Sequence, residues 1–186
     1  MDGITPGPTT WTEDKETVTV SPTGCQWDVT YCYGTDASGN LFIYVESVEW
    51  VTGSGCPTHT ADGPTLHQIA ESLQTDYIWN LNYHLIPDCD QPIMWSELVL
   101  AECWQQIDLH TITGGHENYK YVACPVPDGM TCIKHCIVCK DGLDMKFTGC
   151  YYTEEGTQGG CPLAPGCVWD SWLCYNIGCV DIIPEP

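Results

Sequence analysis

The chain contains no arginine. Its 186 residues carry five lysines against 25 aspartates and glutamates, a formal net charge of −20. A surface so poor in cations repels phosphates, which excludes nucleic acid and anionic lipid as partners. It also lacks the guanidinium fork that usually grips a phosphate or carboxylate substrate. Cations, Ca²⁺ above all, are what such a surface attracts, although a solvated acidic exterior that keeps a secreted protein in solution accounts for the same charge. No apolar run approaches the roughly 18 residues of a membrane-spanning helix, so membrane insertion is not expected. There is no Asn-X-Ser/Thr sequon, and the opening "MDGITPGPTTW" has neither a basic nor an apolar signal region. The expectation is a mature chain from which an export signal has been removed. Catalytic motifs are missing too. There is no G-x-S-x-G and no H-E-x-x-H, and the histidines (His59, His67, His84, His110, His116, His135) stand apart. The chain is therefore not expected to be an enzyme.

What is present in excess is cysteine, 14 in all, with eight Trp and ten Tyr. Cysteine at that density reads as disulfides formed outside the cytosol, hence a secreted protein, extracellular or at a cell surface. The length suits one domain or two small ones.

The cysteines repeat with a rhythm. "GCQWDVTYCY", residues 24–33, and "GCVWDSWLCY", residues 166–175, match in Gly, Cys, Trp, Asp, Cys and Tyr. Cys25 and Cys32 enclose six residues, as do Cys132 and Cys139, and Cys167 and Cys174. The first pair is followed by the turn "GTDASGN", the segment "LFIYVESVEWV" and a Gly-rich exit to Cys56-Pro57. The second is followed by "KDG", "LDMKFTGCYY" and an exit to Cys161-Pro162. Alternating segments joined by Gly/Asp turns predict β-hairpins.

Aligning the two units puts Cys136 on Val29 and Cys150 on Val48. An apolar cross-strand contact in the first hairpin, Val29 with Val48, thus becomes a disulfide in the second, Cys136–Cys150. Residues seven apart on one strand face opposite ways and lie roughly 23 Å apart, so Cys25 and Cys32 cannot join on a continuous strand. The hairpin ends suggest Cys25–Cys56 and Cys132–Cys161. The remaining cysteines stay unassigned, since fourteen allow on the order of 10⁵ pairings.

The third copy, Cys167 to Cys174 with Trp169 and Trp172, has little chain after it and lacks a full return strand. An unpaired strand recruits another. The alternating segment Glu16, Thr17, Val18, Thr19, Val20 is available to cover it, either in the same chain or in a neighbouring copy by strand addition. The second choice makes a homopolymer.

Between the units, "DGPTLHQIAESLQ" predicts a helix with Asp62 as N-cap and Pro64 in the first turn. Leu66, Ile69, Ala70, Leu73 and Tyr77 form its apolar face, with His67, Glu71 and Gln74 opposite. Trp79, Leu81, Tyr83 and Leu85 then alternate as a strand, and "IMWSELVLAECWQQIDLHTI" reads as one long strand or two. The chain divides into an N-terminal arm and strand (1–20), a first hairpin repeat (21–62), a helix-containing insertion (63–110), a second hairpin repeat (111–165) and an incomplete third repeat with its tail (166–186).

Three metal readings compete with these structural ones. Cys132, Cys136 and Cys139 have the C-x3-C-x2-C spacing of radical-SAM enzymes, but the strand–helix alternation of that family's barrel is missing. The same cysteines with His135 form only one zinc knuckle where structural zinc usually has two. Asp36, Ser38 and Asn40 set oxygens at alternate positions, as a Ca²⁺ loop begins, without the downstream bidentate Glu; a hairpin turn explains them as well. No cofactor is otherwise implied. Trp27, Trp50, Trp169 and Trp172 fall on repeat strands, where outward-facing rings would suit a glycan or the next subunit and inward ones a core.

The cysteine rhythm, with "AECW" at Ala101–Trp104 and "YVAC" at Tyr121–Cys124, resembles cysteine-rich secreted proteins of Bacteroidota-type bacteria over about half the chain. That resemblance implies an exported bacterial protein and brings no activity, ligand or site residue. The expected fold is mostly β: disulfide-rich antiparallel hairpin repeats, two and a half copies, with one inserted α-helix. The expected role is structural, a subunit of a self-assembling extracellular filament or surface layer, its partners copies of itself. The alternative is a monomeric adhesin or glycan-binding module using exposed aromatics.

Overall fold

Period-2 alternation of apolar and polar residues sets most of the elements. In the computed structural model, residues 8, 10–20, 24–51, 63–101, 103–113, 116–124, 130–156 and 175–176 are described. In chain order they form β1 (Thr12–Val20), β2 (Cys25–Thr35), β3 (Leu41–Trp50), α1 (Gly63–Asn82), a 3-10 turn (Tyr83–Leu85), β4 (Met94–Ala101), β5 (Cys103–Thr113), β6 (His116–Cys124), β7 (Met130–Asp141), β8 (Asp144–Gly156) and β9 (Tyr175–Asn176). The protein is mostly β, with one helix and one open mixed sheet among the described residues.

β3 is the hub of that sheet. One of its edges pairs with β2, which in turn pairs with β1. Its other edge is shared: Leu41–Tyr44 run parallel to β4, while Ser47–Glu49 run antiparallel to β6. Two arms diverge from this fork, β4–β7–β8 and β6–β5–β9. Leu41 to Val48 of β3 are buried without a break, the pattern of a strand covered on both faces rather than one.

The two hairpins share one cross-strand position and differ in turn length and in where their register slips. Val29 stands opposite Val48 on β2–β3, and Cys136 is bonded to Cys150 on β7–β8 with Cα atoms 4.3 Å apart. Trp27 faces Trp50 in the first, Lys134 faces Tyr152 in the second. Each hairpin slips register once, between Thr30 and Tyr31 and between His135 and Ile137. Gly142, at φ 67°, makes the Asp-Gly turn of the second hairpin, a left-handed conformation that a side chain would strain. Gly34 on β2 serves a different need. A Cβ there would meet the Thr10 carbonyl oxygen at 2.5 Å and Pro8 Cβ at 2.7 Å, so its bareness admits the chain that leads into β1.

α1 lies across β1, β3 and β4. Leu66, Ile69, Ala70, Leu73 and Tyr77 are buried under it, and Tyr77 packs its ring 5.7 Å from Tyr31 and 4.7 Å from Tyr33. The helix corrects two readings of the sequence. It runs on through Asn82, and Tyr83–Leu85 form a 3-10 turn where a strand was expected. On its opposite face His67 and Gln74 are buried and Glu71 is half-buried, because the β7–β8 arm and β4 meet the helix there. Gln74 Nε2 donates to Ser96 Oγ at 2.9 Å in the interior.

The domain boundaries also change. β5 crosses the expected break at 110/111 and pairs with β6, with Thr113 opposite His116. Both belong to the common sheet. The Gly114-Gly115 pair between two alternating segments was the turn signal for this hairpin.

Candidate functional site

The residues singled out from the sequence separate into covalent braces, a sheet edge and a turn. Cys136–Cys150 bridges β7 to β8, and Cys89–Cys139 ties the segment after the 3-10 turn to the end of β7, with Cα atoms 4.8 Å apart. Cys25, Cys32, Cys124 and Cys132 are also in disulfides, and no cysteine is free among the described residues. Cys56 and Cys161, expected partners of Cys25 and Cys132, lie outside the described residues, as do Cys167, Trp169, Trp172 and Cys174. With Cys132, Cys136 and Cys139 all oxidised, the thiolates that zinc or an iron–sulfur cluster needs are not there. His135 also faces away from Cys136, since neighbours on a strand point to opposite faces.

Glu16–Val20 belongs to β1 and pairs with Cys25–Val29 of its own chain. It flanks the first hairpin, and residues 167–174, whose edge it was expected to cover, lie outside the described residues. Val18 and Val20 are buried against the core, the apolar reason the strand stays home. Trp27 and Trp50 are both buried, so neither joins an exposed aromatic row. Asp36 uses its oxygens on its own turn: Oδ1 accepts from Ser38 N at 2.8 Å and Asn40 N at 2.9 Å, and Oδ2 accepts from Asn40 Nδ2 at 2.9 Å. Asn40 Oδ1 accepts from Trp95 N at 3.3 Å. The oxygens offered to Ca²⁺ are thus the fastening of a β-turn.

Two polar clusters emerge that the sequence did not point to. On the helix face, Glu71 accepts from Lys134 Nζ, and its Oε1 lies 3.3 Å from His67 Nε2 and 3.4 Å from the Tyr152 hydroxyl. His67 Nε2 is 2.9 Å from that hydroxyl, while its buried Nδ1 has no hydrogen-bond partner among the described residues. The His67 hydrogen bond, followed by Lys134, holds the Glu71 carboxyl down to about 2 against its own desolvation. Burial and the Glu71 charge push the Tyr152 phenol up. This cluster clamps the helix to the β7–β8 arm.

On the opposite face, His135 Nδ1 is 3.5 Å from Glu97 Oε1 and its Nε2 is 2.6 Å from Thr153 Oγ1. The order hydroxyl–imidazole–carboxylate is that of a nucleophilic triad. The carboxylate contact is long for an orienting hydrogen bond, and the Tyr151 ring stacks on the imidazole at 4.8 Å and 15°. The row therefore supports Tyr151, with Trp95 edge-on to it. Nearby on the hub strand, burial pushes the Glu46 carboxyl up to about 7, helped by Glu13 and partly offset by Lys120.

A shallow, open hollow with two exposed aliphatic side chains at its margin lies at the far end of β7. A cleft of about 600 Å³ runs between the β2–β3 turn (Ser38, Gly39), the segment from His84 to Met94, and Lys140. Leu85 and Ile93 in its walls are 61% and 62% exposed. Its frame is rigid. The Cys89–Cys139 bridge is reinforced by Lys140 N to Pro87 O at 2.9 Å and Cys89 N to Lys140 O at 3.1 Å. The Tyr83 hydroxyl donates to Gly142 O at 2.7 Å. Reading 79–85 as a strand hid this site, although Pro87, Asp88, Asp90 and Pro92 around Cys89 carried a loop signal. Compared with known protein families, curated proteins and solved structures, the chain matches none.

Proposed function

We propose that this chain is an extracellular, disulfide-braced binding module whose ligand site is the cleft between the β2–β3 turn, residues 84–94 and Lys140. The observation that carries this reading is the pair of aliphatic side chains, Leu85 and Ile93, more than half exposed at the margin of a shallow, open hollow framed by a disulfide. Large exposed apolar groups beside one another mark binding surfaces, here at the margin of a shallow hollow that also offers polar groups. The disulfide supports the reading twice: it suits an oxidising compartment, and it removes the entropy that a loose loop would lose on binding. Ser38, His84, Asp88, Gln91 and Lys140 supply donors and acceptors around the apolar walls. The test is a glycan array together with a peptide library on the oxidised protein, repeated with Leu85→Ser and Ile93→Ser. Ligands that bind the native chain and are lost in both variants support the reading; a ligand set indifferent to both substitutions overturns it.

Filament assembly is the second reading, and its observation is β8. This 13-residue strand ends its arm of the sheet, and no strand among the described residues pairs with its outer edge. Strand addition there, in place of donation by β1, is the route such an assembly would take. Asp144, Lys146 and the kink at Gly149 blunt that edge. Fibres in electron micrographs of the purified protein would favour this reading over the first.

A further inference from the structure

We infer that the cleft docks a basic segment of a partner protein, whose aliphatic side chains enter between Leu85 and Ile93 while its lysines or arginines meet the carboxylates of the rim. This rests on the cleft being the ligand site and adds the class of partner. Asp88 lies in the wall, and Asp36, Asp90, Asp141 and Asp144 lie within a few residues of lining positions. Asp88, Asp90, Asp141 and Asp144 are exposed. The cations there are fewer and engaged: Lys146 is paired with Asp141, and Lys140 holds its ammonium 5.3 Å over the Tyr83 ring. Carboxylates thus outnumber free cations along the segments that line the cleft, Asp88 directly and Asp90 and Asp144 close by in the chain. Apolar contacts hold a partner, and rim charge steers it in and selects its sign.

The field of the whole chain points the same way. At a net charge of −20 it draws cations toward the surface and repels acids over a Debye length, about 10 Å at ordinary salt. The same charge excludes a second copy as occupant. The chain has five lysines to offer, and Lys15, Lys134 and Lys146 are already bound to Asp28, Glu71 and Asp141. A neutral ligand would use the aliphatic walls and gain nothing from the carboxylates.

The experiment uses the full oxidised chain with labelled Leu, Ile and Met methyl groups, followed by NMR. Three peptides are titrated, built of alternating lysine and leucine, glutamate and leucine, or serine and leucine. The lysine–leucine peptide is expected to shift Leu85 and Ile93 saturably, and its affinity to fall about tenfold or more between about 50 mM and about 500 mM NaCl. Asp88→Asn with Asp90→Asn should weaken it several-fold, and Leu85→Ser with Ile93→Ser should abolish it. All four side chains are exposed, so folding should survive, as near-UV circular dichroism would show. Equal shifts from the lysine and serine peptides would overturn the charge requirement while leaving the cleft a ligand site. A saccharide moving these signals where no peptide does would have the same result. Shifts scattered over the acidic surface, untouched by the Leu85 and Ile93 substitutions, would overturn the docking site itself.

Discussion

Single carboxylates in this chain titrate in opposite directions, and their surroundings say why. Glu71 is held near 2 by His67 and Lys134, below its ordinary 4.5. As pH falls the unfolded chain takes up that proton first, so the clamp stabilises fully above about 4.5 and is lost toward about 2. Glu71→Gln should flatten this acid limb in denaturant unfolding followed against pH. Glu46 is the reverse case, raised to about 7 by burial. There the folded chain keeps its proton longer, and stability falls as pH rises from about 4.5 to about 7. Glu46→Gln is expected to stabilise the protein at pH 8 by on the order of 1 kcal/mol and to change nothing at pH 4. Gln74 donates its side-chain amide to the Ser96 hydroxyl in the interior, so Ser96→Ala should cost about 1–3 kcal/mol in urea unfolding by stripping a buried donor of its acceptor. None of these roles was legible in the sequence. Helical spacing puts Leu66 and Leu73 on one face, but it is silent about β7 and β4 approaching the other, where His67, Glu71 and Gln74 sit.

Hairpins were the most legible elements, because both partners of a cross-strand pair lie in one short stretch. Placing Cys136 on Val29 and Cys150 on Val48 needed no knowledge of the sheet, and the structure pairs both sets. Cys89–Cys139 spans 50 residues, and no local pattern could join them. The two bridges should differ in worth for the same reason. By loop-closure entropy the shorter loop stabilises by about 3 kcal/mol and the longer by about 4. Replacing Cys136 and Cys150 by Val recreates the apolar pair of the first hairpin and regains part of the loss. Cys89→Ala with Cys139→Ala should therefore cost more, as unfolding midpoints in urea would show. Gly34→Ala tests another element contact. The added methyl meets backbone at Thr10 and the Pro8 ring, so the chain entering β1 must shift, and the melting temperature should drop by several degrees.

At the scale of the molecule, charge and topology act together. A chain at −20 repels itself, so salt added from about 20 mM to about 500 mM should raise the melting temperature, even though it screens the few ion pairs. With β1 paired in its own sheet, sedimentation is expected to find monomers, most firmly at low salt. Oligomers at low salt would favour the β8 edge over the cleft as the working surface. The fork at β3 has a further consequence for how the chain is made. Synthesis proceeds from the N-terminus, and β1, β2 and β3 emerge as a finished meander whose inner border is naked. Its two claimants arrive much later, β4 only when Ser96 has been made and β6 only when Val122 has. For that interval a doubly apolar ribbon, Leu41 to Val48, waits in the open, and a newborn chain is at its stickiest there.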